Sequence, residues 1–180
     1  MSADPPPVSR GWVPIAAIVV VLDQLTKWWA VANLQDRDVE LFWTLRLNLS
    51  YNTGMAFGTG QGWGPVIGAV AMIVIVVLVV GLRRPPSRIG DVAVGMVVGG
   101  AIGNVIDRLA RDPGWLRGGV VDFIDFQWFP IFNVADMGIT IGGVLLVMSS
   151  WRSSRHEPSP AAGPLPVDDG APAETDTETR

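Results

Sequence analysis

Val-Val-Asp-Phe-Ile-Asp-Phe-Gln-Trp-Phe-Pro-Ile-Phe-Asn-Val-Ala-Asp, residues 120–136, leads from a polar stretch into the last apolar segment of the chain. It carries Asp122 and Asp136 on either side of a turn that contains Pro130. A carboxylate at the edge of a membrane is costly and needs a reason. Two carboxylates brought face to face do not both ionise readily, so one keeps a proton that the other lacks. One can then activate water while the other protonates a scissile carbonyl, the chemistry of an aspartic protease. Asp125, three residues after Asp122, is chemically equivalent, and the residues alone do not choose between them.

The setting for this pair is a membrane. The 180 residues are 49% hydrophobic and only 17% charged, and the charges cluster, leaving long uncharged stretches. That pattern belongs to helical membrane proteins. Residues 12–34, 65–82, 89–110 and 131–151 are each near the ~20 residues that a spanning helix needs. Only the second is free of polar interruption; the others hold Asp23 and Lys27, then Asn104, Asp107 and Arg108, then Asn133 and Asp136. Polar groups inside spanning helices face the bundle interior and mark function.

The expected fold class is an all-α membrane protein with four transmembrane helices and a small extracytoplasmic sheet. Residues 1–11 form a cytoplasmic N-terminal segment, residues 12–155 the membrane domain and residues 156–180 a disordered cytoplasmic tail. The strands are expected within 36–63, where Leu45, Leu47 and Leu49 alternate with Arg46, Asn48 and Ser50. The tail is rich in Pro, Ala, Asp, Glu and Thr without apolar periodicity. The first apolar run resembles a secretory signal, but Asp23, Lys27, Trp28 and Trp29 fit a cleavage region badly, so the helix is expected to stay uncleaved.

Orientation follows from basic residues at helix ends. Arg10, then Arg83, Arg84 and Arg88, then Arg152 and Arg155 all fall on one side of a four-span chain. This puts both termini in the cytoplasm and Asp122 and Asp136 at the outer face. The formal net charge of -4 owes much to the tail, and there is no basic patch to suggest nucleic acid. Cysteine is absent and His156 is the only histidine, outside the apolar segments. The lack of cysteine excludes a cysteine nucleophile and a thiolate metal site, and the place of His156 argues against a His-based triad or a His-ligated zinc site.

Asp23 and Lys27 are four apart and share a helix face, so they can pair. They are read evenly as a neutralised interior pair or as a contact to substrate or to the aspartates. Asn104, Asp107 and Arg108 offer an amide, a carboxylate and a guanidinium near the outer end of the third span. Arg108 either snorkels to lipid phosphates or holds a substrate carbonyl or phosphate. Asn133 and Asp136 lie on one face of the fourth helix with Thr140; alone, they read as a helix cap beside a favourable charge. Asn52-Thr-Gly54-Met-Ala-Phe-Gly58 reads as a turn of small residues with one amide. Gly95, Gly99 and Gly103 recur at four-residue spacing, a small-residue face for close helix packing.

Taken together, Asp-Gln-Leu-Thr-Lys (23–27), Asn-Thr-Gly-Met-Ala-Phe-Gly (52–58), Gly-Asn-Val-Ile-Asp-Arg (103–108), Val-Val-Asp-Phe-Ile (120–124) and Phe-Asn-Val-Ala-Asp (132–136) stand in an order that closely resembles lipoprotein signal peptidase, signal peptidase II, over roughly residues 12–151. The resemblance implies an aspartic endopeptidase of the bacterial inner membrane. Such an enzyme cuts diacylglyceryl-modified prolipoproteins immediately before the lipidated cysteine. It carries the catalytic pair over to Asp122 and Asp136. It matches Asn52, Gly54, Asn104, Arg108 and Asn133, with Asp23 and Lys27 of the first helix, to substrate-binding positions. It also implies a β-cradle near residues 42–51, membrane lipid as a partner, a monomer, and no metal or other cofactor. Met137 stands where a Ser is common. A rival reading, a small four-helix transporter or proton pathway, would be favoured by inverted repeats; the motifs of the two halves differ.

Overall fold

The computed structural model describes residues 10–54, 63–81 and 88–154. The expected tail, the stretch 55–62 after Gly54 and the link holding Arg83 and Arg84 lie outside the described residues. In chain order the elements are α1 (Trp12–Asn33), β1 (Val39–Phe42), β2 (Leu45–Asn52), α2 (Gly64–Gly81), α3 (Arg88–Ala110), β3 (Val120–Asp125) and α4 (Val134–Ser154). Among the described residues, α1 and α3 are long and apolar enough to cross a membrane; the apolar stretches of α2 and α4, Gly64–Val79 and Val134–Ser149, are shorter.

Helix α3 is the hub, packed against α1, α2 and α4. Its small residues permit this. A Cβ on Gly99 would stand 2.7 Å from the Ala16 carbonyl oxygen of α1, and one on Gly100 would collide with the Ala135 carbonyl oxygen of α4. The α1–α3 contact is closed by Ala16, Val94 and Val98, with Trp12, Ile75, Leu78, Ile102 and Leu146 around them. The glycine spacing therefore does pack helices, as its period suggests.

The strands form one antiparallel sheet in the order β1-β2-β3. Val121 and Phe123 of β3 pack with Ala30 and Leu34 at the end of α1, joined by Leu47 and Leu49 of β2. Because side chains alternate across a strand, Asp122 points to the opposite face. Ser50 pairs with Asp122 and Asn52 with Val120, so Asn52 lies diagonally beside Asp122 on that face.

Two local differences from the sequence reading bear on the site. The segment holding Asp122, read from sequence only as part of a polar stretch, is a strand. The fourth helix starts at Val134 instead of near residue 131. Phe132 is spent on β-type pairing with Ile124, its N–H donating to the Ile124 carbonyl at 3.1 Å and its carbonyl accepting from Ile124 at 2.9 Å. Asp136 therefore sits in the first turn of α4.

Candidate active site

Asn133 caps α4 in a reciprocal arrangement. Its Oδ1 accepts from the Asp136 N–H at 3.0 Å, and its own N–H donates to Asp136 Oδ2 at 3.2 Å. This is the geometry of a capping box, with an aspartate in the return position. Since a backbone N–H can only donate, Asn133 Oδ1 is committed to the helix and Nδ2 is free to point across the turn. It donates to Asp122 Oδ1 at 2.6 Å and to Asn104 Oδ1 at 3.2 Å. The cap and the site residue are one side chain. Residue spacing alone indicates the cap, and the family resemblance implies the site role.

Asn104 completes the bridge between α3 and α4, donating Nδ2 to Asp136 Oδ1 at 2.8 Å. Asn52, the last residue of β2, hydrogen-bonds Asp122 through its side chain and accepts the Gly54 N–H at 3.0 Å. Asp122 is 3% exposed, whereas Asp136 is half-buried. Burial, and next the charge of Asp136, push the Asp122 carboxyl up to about 7, against the hydrogen bonds from Asn133 and Asn52. Asp122 thus keeps its proton toward neutral pH beside the charge of Asp136.

A cavity of about 780 Å³ opens over the pair. Its polar end is Asn52, Gly54, Asn104, Arg108, Asp122 and Asp136; its apolar walls come from α2 (Ile67, Ala71), α3 (Ala101, Val105) and α4 (Met137, Ile139, Ile141). Phe129, Pro130, Ile131 and Phe132 form a rim, where Phe129 meets Phe132 edge-on at 5.9 Å. Arg108 reaches the cavity with its Nη1 only weakly engaged, 3.4 Å from the Asn104 carbonyl oxygen, and its buried Nε has no hydrogen-bond partner. A guanidinium so placed is available to an incoming carbonyl or phosphate oxygen.

Asp23 and Lys27 are elsewhere. Both side chains are fully buried and neither lines the cavity. Lys27 Nζ meets Asp23 Oδ2 at 2.9 Å, Asp107 Oδ2 at 2.8 Å and Asn104 Oδ1 at 2.9 Å. Asp107 was legible only as part of a polar string; it is the second carboxylate on Lys27 and also holds Arg111 and the Val121 N–H. Asp125 faces away from the cavity. It takes Arg46 Nε at 2.7 Å and the Gln127 N–H at 2.6 Å.

A buried and a half-buried acid side by side, three asparagines that fix them and a largely apolar cavity opening onto them suit hydrolysis of an extended peptide beside a membrane. The chain's relationships agree. The family model for signal peptidase (SPase) II matches residues 15–152. The chain belongs to the signal peptidase II family. The lipoprotein signal peptidase of Hydrogenovibrio crunogenus is 44% identical, covering 79% of this chain and 87% of its own. That of Rhodococcus jostii is 42% identical, covering 82% and 77%. A bacterial membrane enzyme solved by the in meso method at 2.3 Å superposes with a TM-score of 0.71 at 29% identity, over 82% of this chain and 92% of that one. As a signal peptidase II, the protein is a protease that removes signal peptides from prolipoproteins.

Proposed function

We propose that cleavage is of the aspartic type, with Asp122 and Asp136 as the catalytic pair. The observation that supports it is the convergence of both carboxyls, from a strand and a helix start, on one cavity under three oriented asparagines. A water between the carboxyls attacks the scissile carbonyl. Buried Asp122 carries the proton and gives it to the carbonyl oxygen or leaving amine. Asp136, half-buried and fed by Asn104 and the Asn133 N–H, is the carboxylate that takes the proton of water. Arg108 and Gly54, both on the cavity lining, hold carbonyl oxygens of the substrate backbone or of the esters of its diacylglyceryl group. The apolar walls of α2, α3 and α4 accept the signal segment and acyl chains of a diacylglyceryl prolipoprotein, which is cut before its lipidated cysteine.

In this reading all four helices span the bacterial inner membrane, both termini are cytoplasmic, and the sheet and acid pair lie at the outer face. The enzyme works as a monomer in contact with membrane lipid. The test is cleavage of a purified precursor with and without its diacylglyceryl group. Cleavage of the lipidated form, lost in Asp122→Asn and in Asp136→Asn, is expected. Equal cleavage by either variant overturns the assignment.

A further inference from the structure

We propose that Lys27, though outside the cavity, is a positioning residue that sets the hydrogen-bond polarity at the acid pair by fixing which end of the Asn104 amide faces Asp136.

An ammonium group has three N–H donors and no acceptor. All three of Lys27 are spent, on Asp23 Oδ2, Asp107 Oδ2 and Asn104 Oδ1, at 2.8–2.9 Å. The atom of Asn104 that faces Lys27 must therefore be its oxygen, and the atom that faces Asp136 at 2.8 Å must be its NH₂. Without Lys27 the planar amide has less reason to keep that orientation. A half-turn would present its oxygen to Asp136, a contact that favours protonated Asp136 and repels its carboxylate. Asn133, whose polarity is fixed by the N–H of Asp136, points its NH₂ at Asn104 Oδ1 and supports the same orientation. Lys27 thus acts on the catalytic base through one intervening amide.

The charge balance explains why a lysine can reside there fully buried. Asp23 keeps two other partners, the Ala135 N–H at 2.9 Å and Gln24 Nε2 at 3.1 Å; Asp107 keeps Arg111 and the Val121 N–H. The cluster ties α1, α3, β3 and α4 together at the site's floor. Among the described residues, the charged groups around Asp136 are Asp23 and Lys27 from α1, Asp107 and Arg108 from α3, and Asp122 from β3.

The inference rests on the acid-pair reading above, and it needs its own readout: the pH profile of kcat/KM for a lipidated precursor. Lys27→Met is combined with Asp23→Asn so that the net charge of the cluster is unchanged. The acidic limb, which reports ionisation of the base, is expected to move up by about one pH unit. KM is expected to change far less than kcat. Asn104→Leu should shift the limb likewise, and adding the Lys27 change to it should shift it no further, because both act through one amide. Additive shifts, or an unmoved limb in folded enzyme, overturn the proposal. If the double variant fails to accumulate, Lys27→Arg carries the test. Arginine also only donates, so its limb must stay at the wild-type position, and a limb displaced as in Asn104→Leu overturns the idea. Failure of the acid-pair reading looks different: Asp122→Asn or Asp136→Asn would still cleave.

Discussion

Asn133 donates 2.6 Å to Asp122 from the very position that caps the helix carrying Asp136. One asparagine therefore sets the distance between a strand and a helix start, and with it the spacing of the two carboxyls. Asn133→Ala removes a cap, worth about 1 kcal/mol, and the donor to a buried carboxyl. Asn133→Ser keeps a capping oxygen but cannot reach Asp122. Expected outcomes are a lower melting temperature in detergent for Asn133→Ala, near-normal stability for Asn133→Ser, and a large fall in kcat for both. Full activity in Asn133→Ser would show that the bond to Asp122 is dispensable.

Asp122, Asp125 and Asp136 should separate cleanly by substitution. Asp122→Asn and Asp136→Asn are expected to abolish processing of lipidated precursor at matched membrane levels. Asp125 holds Arg46 and the Gln127 turn instead of facing the cavity. Asp125→Asn should keep most activity per folded molecule while losing about 1–3 kcal/mol of stability. Inactive but well-folded Asp125→Asn enzyme would contradict this division.

The raised Asp122 carboxyl makes a signed prediction about pH. Its folded-state value is about 7 against an ordinary value of 3.8. Between these values the folded protein holds a proton that the unfolded chain has released, so this group's contribution to stability falls as pH rises from about 4 to 7 and levels off above. Asp122→Asn has no such group. Its melting temperature relative to wild type should climb from pH 5 to pH 8. Parallel curves for the two proteins would sink the claim. Activity should fall above about pH 7 as the shared proton is lost.

The helices were legible because length and apolar content suffice to find them: α1 and α3 fall within a residue or so of the expected ends. The pairing of Asp23 with Lys27 follows from spacing alone. The strand at 120–125 was not legible. Five of its six residues are buried, so the alternation that reveals a half-exposed strand is missing. The start of α4 was misplaced because Ile131 and Phe132 are as apolar as the helix that follows; only pairing across to Ile124 removes Phe132 from it. The role of Asn104 between Lys27 and Asp136 requires three helices to meet, which no local pattern encodes.

Glycine substitutions on α3 and α4 test the packing independently of catalysis. At Gly143 nothing lies within 4 Å of an added Cβ, so Gly143→Ala should gain the ~1 kcal/mol by which alanine exceeds glycine in a helix. At Gly99 a Cβ meets α1 backbone at 2.7 Å, so Gly99→Ala should be destabilising despite the same propensity gain. Melting temperatures in one detergent should rank Gly143→Ala above wild type and wild type above Gly99→Ala. The reverse order would deny the close α1–α3 approach.

Arg108→Ala should weaken substrate binding more than folding. Asp107, its nearest carboxylate by sequence, is taken by Lys27 and Arg111, and the Nε of Arg108 is buried without a hydrogen-bond partner. The substitution therefore breaks no ion pair among the described residues and removes a desolvated cation from the apo enzyme. One lost charge-assisted contact to a substrate oxygen is worth about 1.5–3 kcal/mol, roughly 10- to 150-fold in affinity. Gly68 makes room for this side chain: a Cβ there would sit 3.3 Å from Arg108 Cδ and 2.8 Å from a Leu116 methyl. Gly68→Ala should then displace Arg108 and give a milder form of the same defect. The measurements are melting temperature in detergent and affinity for a lipidated precursor, taken in the Asp136→Asn background, which is expected not to turn substrate over, so that binding is read alone. Unchanged or raised melting temperature with weakened binding is expected. A sharp drop in melting temperature with intact affinity would make Arg108 a structural residue and remove it from substrate recognition.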